Sequence, residues 1–134
     1  MKKLPDYAYV PGVNARPEMQ EPRVEPIDPA SPERNEAFQY GLALFRNEYY
    51  WESHVYFEAL WKAHQKKGSI AQLLKGLIAL AAAGVNFKQG RSESAKRQWR
   101  RAVGLIDEVQ TREGPIFLGL DLQPLKEMPA FLFR

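Results

Sequence analysis

A histidine and a glutamate four residues apart are the side chains in this sequence best placed to do chemistry. His54, Glu58 and Trp61 follow at intervals of four and three residues, which places them on one face of a helix. There the histidine and the carboxylate can share a hydrogen bond or a proton, and they can supply two ligands to a metal ion. Two ligands do not complete a metal site, and no third polar group is evident nearby.

Three interpretations of this pair stay open. A buried His54–Glu58 pair that satisfies its own polar atoms is the simplest, because buried polar groups must be paired. A pocket for a small molecule or metal is the second, and direct catalysis is the third. The other histidine, His64, lies near a predicted helix end. Its side chain is therefore expected to face water or the last carbonyls of that helix.

Composition and motif content exclude several other kinds of site. The chain of 134 residues has no cysteine, which excludes disulfides, thiolate metal ligands and cysteine nucleophiles. It also has no glycine-rich phosphate loop, Gly-x-Ser-x-Gly or His-Glu-x-x-His motif. The first residues lack the apolar run of a secretory signal, and the longest apolar stretch, 77–85, is shorter than the roughly 20 residues that span a bilayer. We therefore expect a cytoplasmic protein without a membrane span.

Proline placement divides the chain into an arm and a helical domain. Seven of the ten prolines lie in the first 32 residues, where they disfavour regular helices and central strands. Tyr7, Tyr9 and Val10 are interleaved with these prolines, and a purely disordered tail lacks such groups. Residues 1–31 are therefore predicted to form an extended arm packed on the body, and residues 32–134 to form the helical domain.

Capping patterns and glycines predict four main helices and a short fifth. Ser31 before Pro32 has the pattern of an N-cap and first helical residue, and Ser69 with Gln72 has the pattern of a capping box. Asp121 is a candidate cap for the last helix. The predicted helices cover 32–46, about 50–65, 69 to near 90, 92–113 and 122–128.

The apolar pattern predicts how these helices pack. The second and third helices are apolar around most of their circumference, which predicts burial on several sides. In the third, a run of alanines ending at Gly84 permits close approach of a neighbour. A faint repeat with an offset of 42 residues maps Phe57 onto Trp99 and Leu60 onto Ala102. The predicted fold is an all-α compact bundle, built as two helical hairpins similar to tetratricopeptide units.

Charge is unevenly distributed, although the net charge is only +3. Residues 18–36 contain six carboxylates, and residues 88–101 contain six cations. Either both are solvated surfaces, or the acidic segment docks on the basic helix. The usual groove-reading motifs are missing, so a nucleic-acid partner is not expected.

Several short motifs lie along nearly the whole chain in a specific order. They comprise Tyr-Tyr-Trp-Glu-Ser-His through Glu58 and Trp61, then Lys-Gly-Leu-Ile-Ala-Leu-Ala-Ala at 75–82, then Gly90. Residues 5–12 of the arm and 117–122 of the tail add to the pattern. In these motifs the chain resembles the domain-of-unknown-function 309 family (DUF309). The resemblance implies an all-helical fold and a cytoplasmic protein of a bacterium or archaeon, and it implies no established activity.

Several positions depart from the pattern of that family. Val55 stands where many members have a glutamate, Lys75 and Ala79 where they often have glutamines, and Asn86 where a histidine is common. If relatives have a polar site between the second and third helices, this chain is expected to have a reduced version. Lys75 is expected to be the charge partner of Glu58 there. The candidate residues of this pocket are His54, Glu58, Trp61, Lys75 and Asn86.

Two functions are compatible with these patterns. The favoured one is a non-enzymatic helical module that binds a protein partner or self-associates, with the basic fourth helix as one contact. The alternative is a small-molecule or metal-dependent enzyme with a reduced His54–Glu58 site. The sequence does not decide between enzyme and non-enzyme, and it points to no cofactor and no metal.

Overall fold

Five α-helices and one small strand pair are present in the computed structural model, which describes residues 2–127. A 3-10 turn, Pro32–Arg34, precedes the first helix. The elements are α1 (Glu36–Arg46), α2 (Tyr50–Ala63), α3 (Gly68–Lys88), α4 (Ser92–Glu113), β1 (Ile116–Phe117), β2 (Leu120–Asp121) and α5 (Leu122–Lys126). The two strands pair antiparallel, and each main helix packs against the next in the chain. The prediction of an all-α fold with four main helices and a short fifth is confirmed.

Three helical glycines allow the main helices to approach one another closely. A Cβ atom at Gly41 would lie 2.9 Å from the Phe57 ring of α2, and one at Gly76 would lie 2.8 Å from Ile106 of α4. A Cβ atom at Gly84 would collide with the ring of Tyr50 on α2. The close approach predicted at Gly84 is therefore present, and α3 packs against both α2 and α4.

Ser31 does precede a helical turn with Pro32 at its first position, but this is the 3-10 turn and not α1, so the N-cap predicted for the first main helix is wrong. The hydroxyl of Ser31 makes no capping bond, because it donates to the Asp28 carboxylate at 3.3 Å. Asn35 caps α1 instead, and its Oδ1 accepts the N–H of Phe38 at 2.9 Å. The helix therefore begins four residues later than the proline pattern suggested.

The capping box predicted at Ser69 is also wrong. Helix α3 already begins at Gly68, and no side chain caps it. Ser69 Oγ accepts from Arg112 Nε at 3.1 Å, while Gln72 Nε2 donates to Glu108 at 2.6 Å. These polar side chains of α3 reach across to α4, and this packing replaces the local cap.

The remaining helix ends agree closely with the prediction. Gly90 and Gly114, both with positive φ, follow α3 and α4. Asp121 caps α5, because its Oδ1 accepts the N–H of Gln123 at 3.2 Å. The predicted end of the fifth helix at Met128 lies outside the described residues.

Helix α3 reaches the length and apolarity needed to cross a membrane, which the shorter stretch 77–85 had not indicated. It has 21 residues, and 56% of its most apolar window is buried inside the protein. The buried residues contact α2 on one side and α4 on another. This burial is that of a core helix and is consistent with the expected absence of a membrane span.

Candidate functional site

The predicted His54–Glu58 pair forms, but it lies at the surface. His54 Nε2 is 3.1 Å from Glu58 Oε2, and the two side chains are 32% and 40% exposed. Lys62 joins Glu58 at 3.5 Å. The interpretation of a buried pair is wrong because α2 turns a different face to the core, the one that carries Ser53 and Phe57, both fully buried.

The other candidate pocket residues are not joined to this pair. Lys75 is exposed on α3, and the lysine that contacts Glu58 is Lys62. Trp61 packs at the edge of the core, with Lys66 Nζ 5.1 Å from its ring centroid. Within residues 2–127, no hydrogen bond or ion pair links Trp61, Lys75 or Asn86 to the pair, and no group of three potential metal ligands occurs. Neither of the two described cavities is lined by His54 or Glu58.

A second polar cluster lies where the N-terminal arm crosses α1 and α2. The Tyr40 hydroxyl donates to the carbonyl of Lys3 at 2.8 Å, and the Tyr49 hydroxyl donates to the carbonyl of Pro5 at 2.9 Å. Carbonyls two residues apart point the same way in an extended chain, which is why neighbouring tyrosines can reach both. We call the surface formed by Tyr40, Tyr49, Trp51, Glu52 and Tyr56 the tyrosine groove.

Glu52 is the buried acidic group of the tyrosine groove. Its residue is only 2% exposed, and its Oε2 accepts the main-chain N–H of Tyr9 at 2.9 Å. Burial raises the pKa of the Glu52 carboxyl, although the N–H groups of Tyr9 and of Glu52 itself act in the opposite direction. Its other oxygen, Oε1, is buried without a hydrogen-bond partner in the described part of the chain. A buried carboxylate oxygen without a hydrogen bond is costly. Loss of the Tyr9 N–H would leave both oxygens of Glu52 without a partner from any other described residue, so this hydrogen bond holds the arm against α2.

Aromatic contacts complete the groove at its far end. The Tyr9 ring packs edge-on against Trp51, with centroids 4.8 Å apart and planes at 86°. Further along, Gln89 Nε2 donates to the carbonyl of Pro11 at 3.0 Å. Residues 3–11 of the arm are thus held at several points by side chains of the helical body.

His64 anchors the later part of the arm, so the expectation that it faces water or its own helix end is wrong. Its Nε2 accepts the N–H of Ile27 at 2.8 Å, and the Ile27 side chain is buried in the core. A ring nitrogen that accepts a hydrogen bond cannot carry a proton. Burial lowers the pKa of His64, which agrees with a neutral ring at this contact.

The His64 contact predicts a dependence of stability on pH. Because the pKa of His64 in the folded protein lies below its unfolded value of about 6.5, its contribution to stability is present above that pH. The contribution is lost as the pH falls through the lowered pKa of the folded protein. We expect the free energy of unfolding to decrease between pH 7.5 and 5.5, as measured by urea unfolding.

The variant His64→Gln supplies the control for this pH series. Glutamine keeps an acceptor for the Ile27 N–H but does not titrate. Because the pKa of Glu52 is raised in the folded protein, protonation of this carboxyl increases stability towards acid, opposite to the effect of His64. Glu52 is present in both proteins, so its effect cancels in the difference between them. The difference in stability between wild type and His64→Gln should therefore decline towards acid. A difference that is constant across the series would contradict the assigned hydrogen bond.

The two charged segments do not pair with each other. Glu21 of the acidic segment lies 3.6 Å from Lys62 of α2. Among the residues that the structure describes, no ion pair joins residues 18–36 to residues 88–101, so the docking interpretation is wrong. Four arginines are exposed, namely Arg91, which precedes α4, and Arg97, Arg100 and Arg101 in the first half of that helix.

The family comparison covers the helices that form the groove. The model of the family described as "Domain of unknown function (DUF309)" matches residues 38–98, just under half of the chain. This segment is similar to DUF309. The DUF309 segment contains α2, α3, most of α1 and the beginning of α4, and hence every residue of the tyrosine groove. The resemblance noted in the sequence is confirmed there, while the arm and tail motifs lie outside the match. No curated protein and no solved structure matches the chain.

Sequence reasoning missed the tyrosine groove. It singled out His54 and passed over Glu52, two residues away, although both lie in the same motif. One available signal was the set of tyrosines at 40, 49 and 56, because a tyrosine on a buried helix face needs a partner for its hydroxyl. The proline-rich arm offered the free carbonyls that such hydroxyls bind.

Proposed function

We propose that this DUF309 protein is a non-enzymatic interaction module whose tyrosine groove binds an extended segment of a protein partner. The observation that carries the proposal is the set of contacts made by Tyr40, Tyr49 and Glu52. All three bind main-chain atoms of the arm, on both sides of a bend at residues 6 and 7, so they recognise backbone groups rather than particular side chains. The arm occupies the groove when no partner is bound, and the arm of a second copy is one segment that fits the same contacts.

The composition of the arm supports this mode of recognition. Proline-containing segments are extended before they bind, so they lose little conformational entropy when they dock in aromatic grooves. Pro5 and Pro11 both offer their carbonyls to side chains of the body. A groove that supplies hydroxyl donors suits such a segment, because proline has no N–H but keeps its carbonyl.

The same proposal covers the plan of the fold and the place of the protein in the cell. The pairs α1–α2 and α3–α4 form two hairpins of tetratricopeptide-like design. In support, Leu60 and Ala102, which the 42-residue offset relates, are both fully buried. The DUF309 resemblance and the absence of cysteine support a prokaryotic cytoplasmic location.

A competition experiment on the full chain tests the groove. The variant Tyr9→Pro removes the N–H that Glu52 accepts, and it thereby weakens the attached arm without altering the helices. An acetylated, fluorescent peptide of residues 2–16 should bind this variant more tightly than wild type, because the attached arm competes at high effective concentration. Fluorescence anisotropy measures both affinities, and far-UV circular dichroism checks that the helices are retained.

The tyrosine hydroxyls provide the matched control. Adding Tyr40→Phe and Tyr49→Phe to the Tyr9→Pro chain removes two donors and leaves the ring packing. At about 0.5–1.5 kcal/mol for each hydrogen bond, peptide affinity should fall by roughly 5- to 150-fold. If the peptide does not bind the Tyr9→Pro chain, or binds equally well without the two hydroxyls, the groove is not a peptide site.

A further inference from the structure

The arm places one charged side chain, that of Lys2, at the start of the tyrosine groove. Lys2 Nζ donates to the Tyr56 hydroxyl at 3.3 Å and lies 5.6 Å from the centroid of the Tyr40 ring. The two rings themselves pack edge-on, with centroids 5.1 Å apart. An ammonium within about 6 Å of an aromatic face is attracted by the ring quadrupole. Lys2 thus has two favourable contacts, one with a hydroxyl and one with a ring.

An open cavity of about 670 Å³ adjoins these two rings. Glu33 and Glu36 line it together with Lys2, and Arg23 is the second cation on its wall. Neither glutamate has an ion-pair partner within residues 2–127. Two carboxylates beside two aromatic rings favour a cationic side chain over a neutral or an acidic one.

A second side-chain contact lies seven residues further along, where Tyr9 packs against Trp51. Between the two, the groove contacts the carbonyls of Lys3 and Pro5, which any residue can provide, and the partly buried Leu4 packs against the cluster of Tyr40, Leu44 and Tyr56. The side chains of Lys2 and Lys3 are both exposed, and of these two only the Lys2 side chain contacts the tyrosines in the described part of the chain. Main-chain contacts and the packing of Leu4 therefore hold the segment, while the polar and aromatic side-chain contacts at each end can distinguish one segment from another.

We infer that the groove selects partner segments that carry a lysine and, seven positions later, an aromatic residue, joined by a proline-containing stretch that can bend as residues 6 and 7 of the arm do. The inference rests on the proposed function and specifies its partner. Tyr56 and Tyr40, with the carboxylates of Glu33 and Glu36, form the lysine subsite. Trp51 forms the aromatic subsite. The arm of this chain carries the same pattern and is the segment that competes with the partner.

Matched peptides separate this inference from the proposed function. The acetylated peptide of residues 2–16 is compared with its Lys2→Ala and Lys3→Ala forms on the full-length Tyr9→Pro chain. The two variant peptides have equal net charge, and Lys3→Ala keeps the carbonyl that Tyr40 contacts. We expect Lys2→Ala to weaken binding about tenfold, the combined loss of one hydrogen bond and one cation–π contact. The Lys3→Ala peptide should bind like the parent peptide. A Tyr9→Ala peptide, like the Lys2→Ala peptide, should bind more weakly than the parent.

A protein variant then locates the lysine subsite. In the chain with Tyr9→Pro and Tyr56→Phe, the difference between the parent and Lys2→Ala peptides should shrink, because the two changes remove the same contact. If the Lys2→Ala and Lys3→Ala peptides bind equally well, the lysine subsite is refuted while the groove stands. If no peptide binds the Tyr9→Pro chain, the proposed function fails, and the inference fails with it.

Discussion

Replacing Gly84 with alanine is expected to lower the free energy of unfolding by about 1–3 kcal/mol, the usual cost of overpacking a core. A Cβ atom at this position meets the ring of Tyr50, at the contact between α3 and α2. The ring cannot move away freely, because Tyr50 is itself buried and packs against Phe45 with centroids 5.5 Å apart. Chemical denaturation followed by circular dichroism measures the change.

The matched control is Gly104→Ala on α4. A Cβ atom at Gly104 meets nothing within 4 Å, and the residue is exposed. Alanine has the higher helix propensity, so this change should raise stability by up to about 1 kcal/mol. The two Gly→Ala substitutions should therefore act with opposite signs. Equal effects would show that α2 and α3 are not in close contact at Gly84.

Replacing Ile27 with alanine is expected to lower the free energy of unfolding by about 2–5 kcal/mol, as for other buried isoleucines. Ile27 lies in the arm, yet its side chain is only 2% exposed and belongs to the same core cluster as Phe38 and Leu60. Removing its side chain leaves a cavity and keeps the N–H that His64 accepts. Urea unfolding at pH 7.5 measures the loss without protonating His64.

Val13→Ala in the same arm is the control for this change. Val13 is 63% exposed, and its loss should alter stability by no more than about 0.5 kcal/mol. The contrast tests whether the arm folds with the body or only lies on it. If Ile27→Ala also costs less than about 0.5 kcal/mol, the arm is not part of the cooperative unit. The division into residues 1–31 and 32–134 would then be a division between two independent parts.

Helix number, type and most helix ends could be predicted because their signals are local. Positive-φ glycines at 90 and 114 and the cap at Asp121 act within a few residues. The predicted cap at Ser31 failed because its hydroxyl has a competing local partner in Asp28. The capping box at Ser69 failed because its polar atoms bind α4, far away in the sequence. The Asp28 contact is local, whereas the contact between Ser69 and Arg112 spans 43 residues and leaves no local pattern.

For the candidate site, even more than for the helix caps, the decisive contacts lie far apart in the sequence. The spacing of His54 and Glu58 did predict their contact, since it depends only on helix geometry. Which face of α2 is buried depends on how α1 and α3 pack against it. The predicted buried face carried His54, whereas the face that is buried carries Glu52. The contact between Glu52 and Tyr9 spans 43 residues and joins a side chain to a backbone N–H. Because every residue except proline carries that N–H, no sequence pattern marks Tyr9 as the partner.

The exchange rate of the Tyr9 amide proton tests the central claim, that the arm lies in the tyrosine groove. That N–H donates to a buried carboxylate, whereas Glu18 of the same arm is exposed. In native-state hydrogen exchange by NMR, we expect the Tyr9 amide to be protected at least about tenfold more than the Glu18 amide, and Glu52→Ala to remove that protection. Equal protection at Tyr9 and Glu18, or protection that survives Glu52→Ala, would contradict the account.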